Sequence, residues 1–178
     1  MSFSLLRTPA FRFVLTFLLS YVMANVVYGV YIEALGNEPD WFTTVVSQLT
    51  VVSLQSAGIN AALAVNPHAP TWLLQIDNHT ILSVYEGCNA VNVLIVLNAF
   101  FLAYTNTHPA RWKWVVAGNV LVYGANIVRL LLLCWVAIHF KSYFYYVHKY
   151  AFTAAIYAVV FLVWFFWIRQ SRKAPEAS

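Results

Sequence analysis

Charged side chains are scarce in this sequence of 178 residues: Asp, Glu, Lys and Arg together make up 9% of it, while 62% is hydrophobic. So little polar surface cannot cover a water-soluble globule of this size, which excludes an ordinary soluble domain and makes lipid the expected solvent. Cysteine is nearly absent as well. Cys88 and Cys134 form no CxxC pair and have no histidine at metal-ligand spacing, so zinc and dithiol redox motifs are excluded and a disulfide between the two has no support. Acidic residues number 6 against 10 basic ones. The net charge of +4 does not mark a partner of nucleic acid, because Lys and Arg sit at the ends of apolar stretches and form no basic face. Repeats and low-complexity tracts are missing, and the length suits one compact helical bundle, so a single membrane-embedded domain over residues 1–178 is expected.

Long apolar runs are what the sequence does contain. Residues 11–32 follow Arg7 and Arg12 and are long enough to cross a hydrocarbon core of about 30 Å at about 1.5 Å per residue. The run exceeds the apolar region of a secretory signal peptide and no A-x-A-like cleavage site follows it, so it is expected to be retained. Further spans are expected over residues 89–104, 114–137 and 150–168, giving an all-α integral membrane protein, a bundle of about four transmembrane helices. Trp112, Trp114, Trp164 and Trp167 are placed to form one aromatic belt, and Trp135, Tyr143, Tyr145, Tyr146 and Tyr150 the other.

Basic residues set the orientation. Arg7 and Arg12, then Arg111 and Lys113, then Arg169, Arg172 and Lys173 all fall on one side of such a bundle, and cytoplasmic loops carry the excess of Lys and Arg. Both termini are therefore expected in the cytoplasm, with Lys141 and Lys149 as exceptions outside. The outer loop, residues 33–87, holds Glu33, Glu38, Asp40, Asp77 and Glu86 and no Lys or Arg. Within it, residues 41–65 are apolar but studded with Thr43, Thr44, Ser47, Gln48, Gln55, Ser56 and Asn60, as expected of an interfacial helix lying in or against the membrane. A fifth span there would put the basic ends on opposite sides. Residues 71–76 and 80–85 lean toward β-structure around the turn-forming Asp77-Asn78-His79, which predicts a small outer β-hairpin.

Arg129 stands inside the third apolar run, where a central arginine costs at least about 2.5 to 3.5 kcal/mol on insertion scales. Counted from Trp114 it lies about 22 Å up a core of about 30 Å, in the outer leaflet and within snorkelling reach of the interface. Asn119, Tyr123 and Asn126 precede it at helical spacing, so this stripe must face protein or water. Hydrogen-bonding glue between helices is the simpler role for the asparagines. Cys88 stands at the outer start of the second span, where a helix N-terminus favours negative charge and lowers a thiol pKa from about 8.5 toward neutrality. A free cysteine is otherwise a small buried hydrophobe, which is the role expected of Cys134. His148 precedes the last span, and its imidazole can carry a proton from a thiol to a leaving amine. His139 has the look of a plain interfacial residue. Cys88, Arg129 and His148, from three segments, are expected at one level on the outer side. Together they supply what acyl transfer needs: a thiolate, a proton carrier and a cation for the developing oxyanion.

Glu86-Gly87-Cys88-Asn89 before an apolar helix, Asn126-Ile127-Val128-Arg129 inside the next, and His148 before a final helix resemble the exosortase and archaeosortase family, closest to the exosortase F type. The resemblance covers roughly residues 84–168. It implies a polytopic cysteine transpeptidase or protease of a bacterial cytoplasmic membrane, with its active site on the outer, periplasmic side. The implied substrates are membrane-anchored proteins whose C-terminal sorting signal joins a short motif, a transmembrane helix and a basic tail. Cys88 matches the family's nucleophile, Arg129 its arginine and His148 its histidine; Glu86, Asn89 and Asn126 are expected to support them. Ala90 stands where many relatives have glycine, and Lys149-Tyr150-Ala151 lacks the acidic and glycine neighbours found in larger exosortases. Neither the residues nor the resemblance calls for a cofactor or a metal.

Two rivals follow from the same residues. A non-catalytic scaffold or assembly factor would use Arg129 and Asn126 to bind a partner helix. A four-helix thiol oxidoreductase wants paired cysteines, which one outer thiol and a distant Cys134 do not provide. A transporter is disfavoured because ionisable residues are missing from the middle of the spans.

Overall fold

The computed structural model describes residues 8–104 and 111–171, so Arg7, Arg172 and Lys173, on which part of the orientation rests, lie outside the described residues. Helix α1 (Pro9–Leu35) begins where the Thr8 side chain accepts a hydrogen bond from the Phe11 N–H, with proline in the first turn, where an amide hydrogen has no partner to lose. None of its residues is buried, and Met23 is 66% exposed. Ser20 and Asn25 bond back to carbonyls one turn earlier, so these two side chains are satisfied within the helix. An apolar helix so bare in the isolated chain has lipid as its natural surroundings.

Two more segments share that character. Helix α4 (Arg111–His139) and the segment Lys141–Ser171 are, with α1, the three described elements long and apolar enough to cross a membrane. The last of them is composite. A 3₁₀ turn (Lys141–Tyr143) and a single turn α5 (Phe144–Tyr146) lead through a π-helical turn (Val147–Ala151) into α6 (Phe152–Ser171). Helix α3 (Val91–Ala103) has 13 residues and reaches about 20 Å, short of a core of about 30 Å. The expected bundle therefore consists of three long helices and one short one.

Between α1 and α3 lie α2 (Trp41–Ser56) and a three-stranded antiparallel sheet, β1 (Ala61–Val65), β2 (Trp72–Ile76) and β3 (His79–Val84), in the order β1-β2-β3. The hairpin expected from the sequence is β2-β3. Its turn residues Asp77 and Asn78 have φ of +50° and +64°, the left-handed pair that a tight two-residue hairpin demands. Strand β1 corrects the expectation of one helix over residues 41–65. The helix stops at Ser56, Gly58 turns the chain at φ +81°, and residues 61–65 pair with β2 instead.

The polar residues that stud α2 divide by face. Thr43, Ser47 and Thr50 are buried, and the hydroxyls of Ser47 and Thr50 bond to the carbonyls of Thr43 and Val46. Small, internally satisfied side chains let the helix lie close to the sheet. The Trp72 indole N–H donates to Thr44 Oγ1 at 3.0 Å and ties β2 to α2. On the other face Trp41, Leu49 and Val52 are exposed.

Hydrophobic packing forms two clusters. One joins the sheet and α2 to the later half of α4, through Val46, Leu74, Val84, Leu130 and Leu133. The other gathers the start of α1, the end of α3, the start of α4 and the end of α6, through Phe13, Phe100, Trp114, Trp164 and Trp167. Arg111 Nη2 donates to the Phe101 carbonyl at 2.6 Å, and the Trp114 indole donates to Gln170 Oε1 at 2.9 Å, closing that end. Trp167 is 0% exposed, a core residue at this junction instead of a member of the expected aromatic belt, whereas Trp112 is exposed. Four helix ends thus share one end of the molecule, and the sheet caps the other.

Candidate active site

Every candidate residue lies at the sheet end. The chain leaves β3 at Val84 and makes a 3₁₀ turn, Glu86–Cys88, closed by the Cys88 N–H donating to the Tyr85 carbonyl at 2.8 Å. A Cβ on Gly87 would meet the Tyr85 ring, which would have to swing aside. Ala90 then takes a left-handed conformation, φ +65°, which an L-residue adopts at a cost of about 1–2 kcal/mol. Glycine would take that backbone angle without the cost. Ala90 has no side chain with which to cap α3, and Asn89 Oδ1 does so, accepting from the Val91 N–H at 2.9 Å.

Helix α4 supplies the next group. Asn126, 0% exposed, donates through Nδ2 to the Cys88 carbonyl at 2.7 Å, and its Oδ1 accepts from Arg129 Nη1 at 3.2 Å. Arg129 Nη2 faces His148 Nε2 at 3.5 Å. A guanidinium only donates, so this contact requires a lone pair on Nε2 and thus a neutral imidazole protonated at Nδ1. His148 sits in the π-helical turn, its ring stacked on Phe144 with centroids 5.7 Å apart. An extra residue in a turn re-aims the side chains around it and recurs at functional sites. Arg129 Nε is buried without a partner, which leaves a donor for a ligand.

Cys88 and His148 line one cavity of about 240 Å³, walled by Val84, Leu130, Leu133 and Phe144. Arg129 borders a different space, an apolar groove of about 590 Å³ between α4 and α6 whose lining includes Gly124, Ala125 and Ala155. The guanidinium therefore links the groove to the cavity through His148. Among the described residues no hydrogen bond joins the Cys88 thiol to His148, although both line the cavity.

The structure brings together Cys88, Asn126, Arg129 and His148. The other two expected helpers make no hydrogen bond to these side chains among the described residues. Glu86 is half-buried on the turn and has no hydrogen-bond partner among the described residues. The Asn89 amide is engaged on the far side by Tyr28, Asp40 and Thr43. Burial is the largest influence on Cys88 and pushes its thiol above the ordinary range; the backbone contact to Tyr85 and the Arg129 charge pull it down less, and Glu86 adds to the rise. This corrects the expectation of a thiol lowered toward neutrality. Cys88 precedes α3 on a buried turn, and desolvation of a thiolate outweighs the helix end. Both cysteines are free, and Cys134 packs in the core beside Leu130 and Leu133, as expected.

Asp40 is the residue that sequence reasoning missed. It is 3% exposed, the one buried carboxylate among the described residues, and it caps α2 by accepting from the Thr43 N–H at 3.0 Å. An aspartate just before an apolar run announces a helix cap. Its burial against Asn89, 49 residues away, has no local signal. Compared with known protein families, with curated proteins and with solved structures, the chain finds no match.

Proposed function

We propose that this chain is an exosortase-like membrane cysteine transpeptidase or protease. In this reading it cleaves exported proteins that carry a C-terminal sorting signal, at the outer face of a bacterial cytoplasmic membrane. The observation that carries it is the junction of three distant segments: Asn126 holds the Cys88 carbonyl at 2.7 Å while Arg129, bonded to Asn126, faces His148 at 3.5 Å. Purely structural polar residues have no need to place a thiol, a guanidinium and a neutral imidazole at one spot beneath a small sheet.

The chemistry follows from those groups. Because the Cys88 thiol is protonated at rest, attack begins as Arg129 turns from His148 Nε2 toward the incoming carbonyl, which frees that lone pair to take the thiol proton. The thiolate adds to the scissile carbonyl carbon, and the negative charge that develops on oxygen is met by the Arg129 guanidinium. Collapse breaks the C–N bond as His148 returns the proton to the leaving amine, and a thioester with Cys88 remains. Attack by an acceptor amine gives transpeptidation, and attack by water gives hydrolysis; either releases the thiol.

The same reading makes α3 the fourth crossing, aided by the turn at residues 86–90, and puts both termini in the cytoplasm. It lays α2 against the outer surface through Trp41, Leu49 and Val52, which the protein itself leaves uncovered. Co-expression of Cys88→Ala, Arg129→Ala and His148→Ala variants with a sorting-signal protein tests it by the size of that protein. Each variant is expected to leave it unprocessed. Normal processing by Cys88→Ala removes the enzyme, and the scaffold reading then stands if Arg129→Ala loses a partner helix that Cys88→Ser retains.

A further inference from the structure

Asp40, Thr43 and Asn89 are 3%, 0% and 0% exposed, and none of them lines the cavity that Cys88 shares with His148. Thr43 donates to the carboxylate twice, from its N–H at 3.0 Å and from its hydroxyl. Asn89 Nδ2 approaches Asp40 Oδ1 at 3.2 Å and Oδ2 at 3.4 Å, Thr43 Oγ1 at 3.1 Å and Tyr28 Oη at 2.7 Å. The other end of that amide caps α3 through the Val91 N–H. One side chain therefore fastens α1, the start of α2 and the start of α3, and it belongs to the residue next to Cys88.

A helix cap alone does not account for this. One acceptor oxygen suffices for an N-cap, and Ser, Thr or Asn supplies it as well as Asp. Here both carboxylate oxygens are used, and both meet the amide of Asn89. A buried carboxylate is costly unless its bonds are made, so it persists where something needs it. The need is visible one residue further on: Ala90 holds a left-handed backbone that an L-residue does not choose and that the surroundings must impose. Asn126 grips the turn at the Cys88 carbonyl, and Asn89, held by Asp40, grips it from behind.

We propose that Asp40 is a positioning residue: through Asn89 it locks the Cys88-Asn89-Ala90 turn and so aims the Cys88 thiol into the cavity it shares with His148. This rests on the proposed function for what the thiol does, although not for where it points. It also gives α2 a task, since the segment outside the bundle carries the carboxylate that sets the turn.

The test uses the full-length protein in lipid nanodiscs in a Cys134→Ala background. Iodoacetamide alkylation of Cys88 is followed across pH, beside processing of a co-expressed sorting-signal protein. Asp40→Asn keeps volume and cap but turns an amide NH₂ toward that of Asn89. Its thermal unfolding is expected near that of the parent, while the plateau rate of Cys88 alkylation falls on the order of 10-fold and processing turnover falls by up to about 100-fold. Combining Asp40→Asn with Asn89→Asp restores a donor facing an acceptor, in reverse order, and is expected to recover most of both losses. A cap with no positioning role would leave stability, alkylation and processing of Asp40→Asn all at the parental level, since Asn caps as well as Asp. Parental alkylation and processing in Asp40→Asn overturn the proposal. If Asp40→Asn does not fold, Tyr28→Phe, which removes one acceptor from Asn89, is read instead: a smaller loss of the same kind is expected, and no loss overturns the proposal. Cys88→Ala that still processes substrate would defeat the enzyme reading alone, since the alkylation result stands without it.

Discussion

At the scale of single residues, the balance at Cys88 is between desolvation and charge. Burial raises the thiol most, Arg129 opposes it, and Glu86 reinforces it. The signs are therefore fixed for the parent and two variants in a Cys134→Ala background. Cys88 itself should be alkylated slowly at neutral pH, with a rate that climbs only above the ordinary thiol range. Arg129→Gln removes an opposing charge and should move that climb to higher pH. Glu86→Gln removes a reinforcing one and should move it to lower pH. A profile for the parent protein centred near neutrality would mean that the thiolate is already favoured, and His148 would lose its place as the base. Cys88, Arg129 and His148 could be proposed from the sequence because each is chemically conspicuous in an apolar chain. Asp40 could not, because an aspartate in an outer loop reads as solvated until its contact with Asn89 is seen.

Among the elements, the tightest approach is at Gly118 of α4. A Cβ there would lie 3.1 Å from Val163 Cγ1 and 3.5 Å from side-chain atoms of Leu97 and Phe101, so α3, α4 and α6 meet across a bare backbone. Small residues at such crossings are what let helices associate in lipid, where apolar burial between them gains little. Gly118→Leu has no room and should destabilise the bundle by about 1–3 kcal/mol, as overpacking does. Thermal unfolding in detergent measures it, and an unchanged midpoint would show that the three helices separate without cost. The helices themselves were legible as long apolar runs, and the hairpin as two β-leaning runs around Asp77-Asn78. Strand β1 was not legible, because residues 61–65 continue the apolar character of α2 and only pairing with β2 makes them a strand.

For the whole molecule, the number of crossings is a question of parity. The three long helices alone would leave the termini on opposite sides of a membrane. With α3 as a fourth crossing they share one side. The packing of the start of α1 and the end of α6 around the end of α3, through Phe13, Phe100 and Trp164, favours the second arrangement. Reporter fusions at the two termini should both read cytoplasmic, and an insertion at His68, in the exposed link between β1 and β2, should read external. Termini on opposite sides would remove the fourth crossing and the outer site with it.

Composition and run length by themselves determined that this chain has helices long and apolar enough to cross a membrane and roughly where they lie, since transfer of a side chain to hydrocarbon depends on little beyond the side chain. The same local chemistry marked a thiol, a guanidinium and an imidazole as costly enough to need a reason. Only the tertiary structure decided that Asn126 links the Cys88 backbone carbonyl to the Arg129 guanidinium, that Asn89 works behind the turn with Asp40, and that the thiol is raised instead of lowered. Those outcomes depend on burial and on distances between residues far apart in the chain, and no local pattern encodes either.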